Sequence, residues 1–140
     1  MAETELTKNK IFTVSSSPHV RCEESISKIM WSVNIALAPA AIFGIYHFGL
    51  AALKIIIVSI LSAVITEAVI QKIRNKPITV SDGSAFLTGL LLAMCVTPTI
   101  PAYMVGIGSF IAIAISKQSM GGLGYNIFNP AHIGRAAIMA

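Results

Sequence analysis

The chain has 140 residues, of which 55% are hydrophobic and only 11% charged, with a formal net charge of +4. Its mean hydropathy is +0.79, whereas a soluble domain carries about 25% charged residues, so the composition excludes an ordinary soluble domain and places the chain in a membrane. It also excludes a nucleic-acid binder, because the basic residues punctuate apolar runs instead of gathering on one aromatic-rich face.

Residues 1–28 read as a polar, cytoplasmic N-terminal arm, rich in Ser, Thr and Lys. Residues 29–140 read as the membrane region. No secretory signal peptide is expected, since the first apolar run begins only after Lys28 and lacks a small-residue cleavage pattern. Cys22 and Cys95 are far apart and have no ligand neighbours at metal spacing, so both read as free thiols and no metal site is expected.

The acidic "EESISK" at 23–28 can open a helix. The first span is expected over 29–46, with Trp31 and Tyr46 near its ends as in an aromatic belt. Pro39 lies inside it and should kink it. "HFG" at 47–49 reads as the turn. A second span is expected over 50–73, with Lys54 snorkelling at its start. Ser59, Ser62 and Thr66 share one face, and small hydroxyl residues favour close helix contacts in lipid. "QKIRNKP" at 71–77 then places three positive charges in a short loop. The positive-inside rule puts this loop and the basic arm on the same, cytoplasmic side, which two spans between them require.

Ser81 or Asp82 is a candidate cap for the next helix. Residues 83–116 carry no charge but are interrupted by "TPTIP" at 97–101. The first piece, 84–96, amounts to roughly 20 Å of helix, too short for a hydrocarbon core of about 30 Å. It reads as a half-helix, a re-entrant segment or a short tilted span. The next span is expected over 102–116, closing at Lys117. Gly121, Gly122 and Gly124 then permit positive φ and close backbone approach, and Asn129-Pro130 has the form of a new helix start.

Irregular backbone at membrane depth is tolerated only where protein buries it or water reaches it. Two such segments, 80–101 and 117–130, are therefore candidate ligand loops, since paired broken helices point to binding sites in transporter-like folds. The residues singled out are Asp82, Gly83, Ser84, Gly121, Gly122, Gly124, Asn126 and Asn129. The plainer reading is that the glycines only let helices pack closely. Glu67 is the only carboxylate deep inside an apolar span, a functional candidate by default. It can bind a cation, relay a proton or pair with a base such as Arg135. Alternatively it lies near the cytoplasmic end, close to Lys72 and Arg74. His132 is a further candidate, but more often such a histidine satisfies a backbone partner. There is no nucleophile elbow, Walker loop or paired-carboxylate site.

"SSPHVR" at 16–21, "SDGSAFLTGLLLAM" at 81–94 and "GGLGYNIFNPAHIGRA" at 121–136 together resemble the D subunit of the Rnf ion-translocating electron-transport complex. The B subunit of the sodium-pumping NADH:quinone reductase is a more distant likeness. The resemblance implies an all-α, multi-pass membrane flavoprotein made of two inverted repeats, similar in fold to urea transporters, with this chain as about the first repeat. It implies a subunit of a cell inner-membrane complex that passes electrons between reduced ferredoxin and NAD and couples this to Na⁺ or H⁺ transport. The implied partners are the other membrane subunits and, through them, ferredoxin and NAD. The implied cofactor is FMN, phosphoester-linked to a threonine in a Ser-Gly-Ala-Thr-like motif, with a second flavin such as riboflavin. "DGSAF" is not that motif, and Thr88 and Thr97 have the wrong neighbours, so the attachment threonine is expected beyond Ala140. A solute channel of the inverted-repeat type and a purely structural membrane subunit are the competing readings.

Overall fold

The computed structural model describes residues 25–75 and 79–140. Most of the N-terminal arm and the middle of the basic loop, including Lys76, lie outside the described residues, as does Cys22. Every regular element among the described residues is helical.

Helix α1 spans Ile26–Phe48 and α2 spans Leu50–Ile73. Ser25 caps α1, its hydroxyl accepting from the Lys28 backbone N–H at 3.2 Å. The helix is longer than the 29–46 expected from the sequence, because this cap acts earlier and because His47 and Phe48 continue the coil with stacked rings 4.7 Å apart. Gly49 alone makes the turn, at φ 69° and ψ −152°, a region that is essentially glycine's. At 1.5 Å per residue α1 is about 34 Å long, enough to cross a hydrocarbon core. Its Ile35, Ile42, Phe43 and Tyr46 are exposed and Asn34 is its one buried residue, the pattern of a helix with lipid or a neighbour around most of its girth.

Helix α2 is the hub. The stripe of Ser59, Ser62 and Thr66 faces inward. Ser62 Oγ donates to the Gly106 carbonyl at 2.7 Å, and Ser59 Oγ shares a 2.9 Å contact with Ser109 Oγ. Around these bonds lie two small apolar clusters, one of Ile55, Ala93 and Val105, the other of Ala63, Ala85 and Ile113.

A short 3₁₀ turn, Val80–Asp82, leads into α3, Ser84–Cys95. Trp31 Nε1 donates to the Ser81 carbonyl at 3.2 Å and Asn34 Nδ2 to the Gly83 carbonyl at 3.1 Å. Asn34 is eight residues into α1, so the start of α3 sits about 12 Å along that helix. The loop after α2 therefore folds back into the bundle before α3 begins. Helix α3 is as short as the sequence leads one to expect: its 12 residues give roughly 18 Å. The same contacts put the start of α1 and the end of α2 at one end of the bundle, as two spans between two basic segments require.

Helix α4, Ala102–Ile111, continues directly into a π-helical stretch, Ala112–Gln118. The helical run ends within one residue of the expected close at Lys117, and Lys117 itself is 2% exposed. Helix α5, Pro130–Met139, starts at Asn129, whose side chain accepts from the Ala131 N–H at 3.0 Å. It crosses α4 where Gly108 and Gly134 meet; a Cβ on Gly134 would lie 2.6 Å from the Gly108 carbonyl oxygen.

Candidate functional site

Glu67 points out of α2 six residues before that helix ends, about 9 Å from its terminus. Its Oε1 receives Lys117 Nζ at 2.6 Å, Gln118 Nε2 at 3.1 Å and Gln71 Nε2 at 3.2 Å. The Lys117 and Glu67 side chains are 3% and 1% exposed. Two charges taken out of water this far survive only because each is paired and hydrogen-bonded. The π-helical stretch matters here: it delivers the consecutive residues Lys117 and Gln118 to one oxygen, and such widened turns recur at functional sites.

The network extends from both partners. Lys117 Nζ also donates to Ser84 Oγ at 2.6 Å, and Ser84 Oγ donates to Asp82 Oδ1 at 2.6 Å. Asp82 Oδ1 further accepts from the Ser84 backbone N–H at 2.8 Å. Asp82 thus serves the α3 N-terminus from one residue before the cap position, which Gly83 holds at φ 78°. Of the two expected caps, Asp82 acts and Ser81 does not; Ser81 offers its carbonyl to Trp31 instead. On the other side Gln71 Nε2 reaches Thr79 Oγ1 at 2.9 Å and its Oε1 takes the Thr79 N–H at 2.9 Å. The Arg74 guanidinium donates to the Gln118 carbonyl. Glu67 Oε2 is buried and has no hydrogen-bond partner among the described residues.

Two cavities flank this network. The first, about 420 Å³, has Glu67, Asp82, Gln118, Gly121 and Gly122 on its wall. The second, about 310 Å³, has Ser84, Lys117, Asn126 and Asn129. Leu123 borders both. The structure thus gathers most of the residues singled out in the sequence, in two groups: Glu67, Asp82, Gly121 and Gly122 on the first cavity, Ser84, Asn126 and Asn129 on the second. Gly83 instead packs under Trp31 and Asn34, and Gly124 lines neither cavity.

Several expectations change. The base that pairs with Glu67 is Lys117; Arg135 is exposed on α5. Gly121, Gly122 and Gly124 are not packing glycines. They hold φ of 114°, 107° and 91°, and a Cβ on Gly122 or Gly124 would meet nothing within 4 Å. The glycines that bring helices together are Gly89, Gly108 and Gly134. Asn126 Nδ2 donates to the Phe128 carbonyl at 3.3 Å within its own loop, and Asn129 is occupied as a cap. His132 is exposed. Lys117, Gln118, Gln71 and Thr79 were not singled out from the sequence. The one signal for Gln71 was its position four residues after Glu67, on the same helix face.

The chain matches the family described as NQR2, RnfD, RnfE over residues 13–140. It is similar to the D subunit of the proton-translocating ferredoxin:NAD(+) oxidoreductase complex of Clostridium ljungdahlii, 70% identical over 99% of this chain and 42% of that protein. It is 51% identical to the D subunit of the Na(+)-translocating ferredoxin:NAD(+) oxidoreductase complex of Acetobacterium woodii, over 91% of this chain and 40% of that one. A third relative, the D subunit of the ion-translocating oxidoreductase complex of Methanosarcina acetivorans, is 46% identical over 86% of this chain and 42% of its own length. The chain spans about two fifths of the length of these relatives. With a match over residues 13–140, it belongs to the NQR2, RnfD, RnfE family.

Proposed function

We propose that this chain works within the D subunit of an inner-membrane complex that couples electron transfer between reduced ferredoxin and NAD to Na⁺ or H⁺ transport, and that Glu67 lies on the ion path. The observation that carries the reading is the carboxylate itself. Glu67 is buried, its Oε2 has no hydrogen-bond partner among the described residues, and the residue lines the first cavity. An acid kept at such cost inside a membrane bundle serves a moving charge more often than stability. The names of the relatives support the activity, and they differ in the ion named, proton in one and sodium in another.

In this reading the N-terminus is cytoplasmic, the partners are the other membrane subunits, and the described helices form the first of two inverted, urea-transporter-like repeats. The subunit is also an electron relay through FMN and a second flavin such as riboflavin. The residues present fit only part of a flavin site. Met30, Leu87, Leu91, Leu123 and Pro130 give the second cavity an apolar wall. Its Asn126 and Asn129 amides are already engaged, and no Ser-Gly-Ala-Thr-like sequence occurs in the 140 residues. The groups that read and attach a flavin ring therefore belong to other parts of the subunit.

The test is Glu67→Gln in the intact complex reconstituted in proteoliposomes. Ion uptake driven by ferredoxin-dependent NAD⁺ reduction should fall at least about tenfold, a loss of roughly 1.4 kcal/mol or more, while electron transfer with an ionophore present stays near wild type. Normal coupled uptake in the variant rules the reading out.

A further inference from the structure

We propose that Lys117 is a tethered, displaceable counter-ion that closes the passage between the two cavities, and that a transported monovalent cation must push it off Glu67 toward Ser84. The inference rests on the placing of Glu67 in the ion path and deepens it.

The geometry supplies both positions of the switch. The ammonium lies 2.6 Å from Glu67 Oε1 and 2.6 Å from Ser84 Oγ, so it already touches the anchor it would retreat to. Ser84 is not a neutral bystander. It spends its proton on Asp82 Oδ1 at 2.6 Å, which turns its lone pairs toward Lys117 and connects the ammonium to a second carboxylate. A lysine suits this task, being a point charge on a flexible stem with three donors that need no fixed plane.

The charges set the class of ion. Glu67, Asp82 and Lys117 sum to −1. Arg74, the other cation bonded into the network, is exposed, and its charge is solvated. One monovalent cation brings the cluster to neutrality, and Glu67, which lines the first cavity, keeps an Oε2 that has no hydrogen-bond partner among the described residues. The carboxylates line the first cavity while Lys117 and Ser84 line the second, so the ammonium stands between an ion held at Glu67 and the space beyond. A fixed structural ion pair explains the 2.6 Å contact but not the buried oxygen left without a partner among the described residues, nor the second anchor.

The experiment uses the intact complex in proteoliposomes, with ²²Na⁺ and a pH-sensitive dye as probes. Passive cation entry is driven by a potassium–valinomycin potential without electron donor, and coupled uptake is measured separately. Lys117→Met should raise passive entry of the transported ion at least about tenfold and uncouple electron transfer from uptake. Glu67→Gln/Lys117→Met, which restores a neutral buried pair, should assemble, show no leak and no coupled uptake. A purely structural pair predicts instead that the assembled double variant keeps normal coupled uptake, and that result overturns the proposal. Ser84→Ala leaves both charges in place, so it serves even if Lys117→Met does not assemble. It removes the second anchor and should raise the ion concentration for half-maximal coupled uptake by about tenfold, the scale of a hydrogen bond to a charged group, with no leak. An unchanged Ser84→Ala also overturns the proposal. Loss of uptake in Glu67→Gln with an unchanged Lys117→Met sinks the Lys117 switch alone, whereas normal uptake in Glu67→Gln sinks the ion-path reading beneath it.

Discussion

Ser59 and Gly89 hold α2 and α3 together at backbone distance: Ser59 Oγ donates to the Gly89 carbonyl at 2.7 Å, and a Cβ on Gly89 would lie 2.7 Å from Ile60 Cα. In lipid no hydrophobic effect drives helices together, so a small residue that admits the facing backbone and a hydroxyl that bonds across the gap are the available means.

Gly89→Ala is therefore expected to destabilise the protein by about 1–3 kcal/mol, because the methyl group meets backbone and not a side chain that can turn away. Ser59→Ala should cost less, roughly 0.6–2 kcal/mol, the range for interhelical hydrogen bonds in membranes. Thermal melts of the purified complex in detergent check the order. A midpoint for Gly89→Ala equal to wild type would show that α3 shifts freely on α2.

Gly122→Ala tests the opposite kind of glycine. Its new Cβ enters open space, so the only cost is that of holding alanine at φ 107°, about 1–2 kcal/mol. The complex should assemble. Because Gly122 lines the cavity beside Glu67, coupled ion uptake should, on the proposed function, be the quantity that changes. Wild-type rates together with a large loss of assembly would mean that the loop is structural after all.

The two long apolar helices were legible because hydropathy stays high over twenty or more residues, and α3 was legible because proline and threonine at 97–101 stop it. The Ser59–Ser62–Thr66 face was legible from spacing alone. The centre of the site was not. Lys117 follows an uncharged run and precedes a glycine cluster, which is also how an interfacial lysine looks. Only the widened π turn, invisible in periodicity, carries it to Glu67. Gly121, Gly122 and Gly89 are identical letters with different tasks, the first two set by dihedral angle and the third by a neighbour's backbone. Sequence spacing does not separate those causes.

Asn129→Ala removes the acceptor for the Ala131 N–H at the start of α5. Loss of such a cap costs about 0.5–2 kcal/mol. Asn126→Ala breaks only a 3.3 Å bond inside an exposed loop and should cost a few tenths of that. Hydrogen exchange at residues 131–134 is the measurement. Faster exchange in Asn129→Ala and wild-type exchange in Asn126→Ala are expected; equal effects would mean that the loop, not the cap, holds α5.

The proposed cytoplasmic N-terminus is tested by where the charges of the bundle lie. Lys28, Lys72 and Arg74 stand at the end that Trp31 and Asn34 join to the 79–83 turn. At the other end, where Phe48, Ala52, Thr97 and Pro98 border one apolar cavity, only Lys54 is close among the described residues. On the orientation proposed above, which applies the positive-inside rule, the first end faces the cytoplasm. In a background without Cys22 and Cys95, Asn75→Cys should resist an impermeant maleimide added to intact cells, and Thr99→Cys should react with it. Both positions are exposed, so burial does not explain a missing signal. Labelling of Asn75→Cys and protection of Thr99→Cys would invert the bundle, and with it the side from which an ion reaches Glu67.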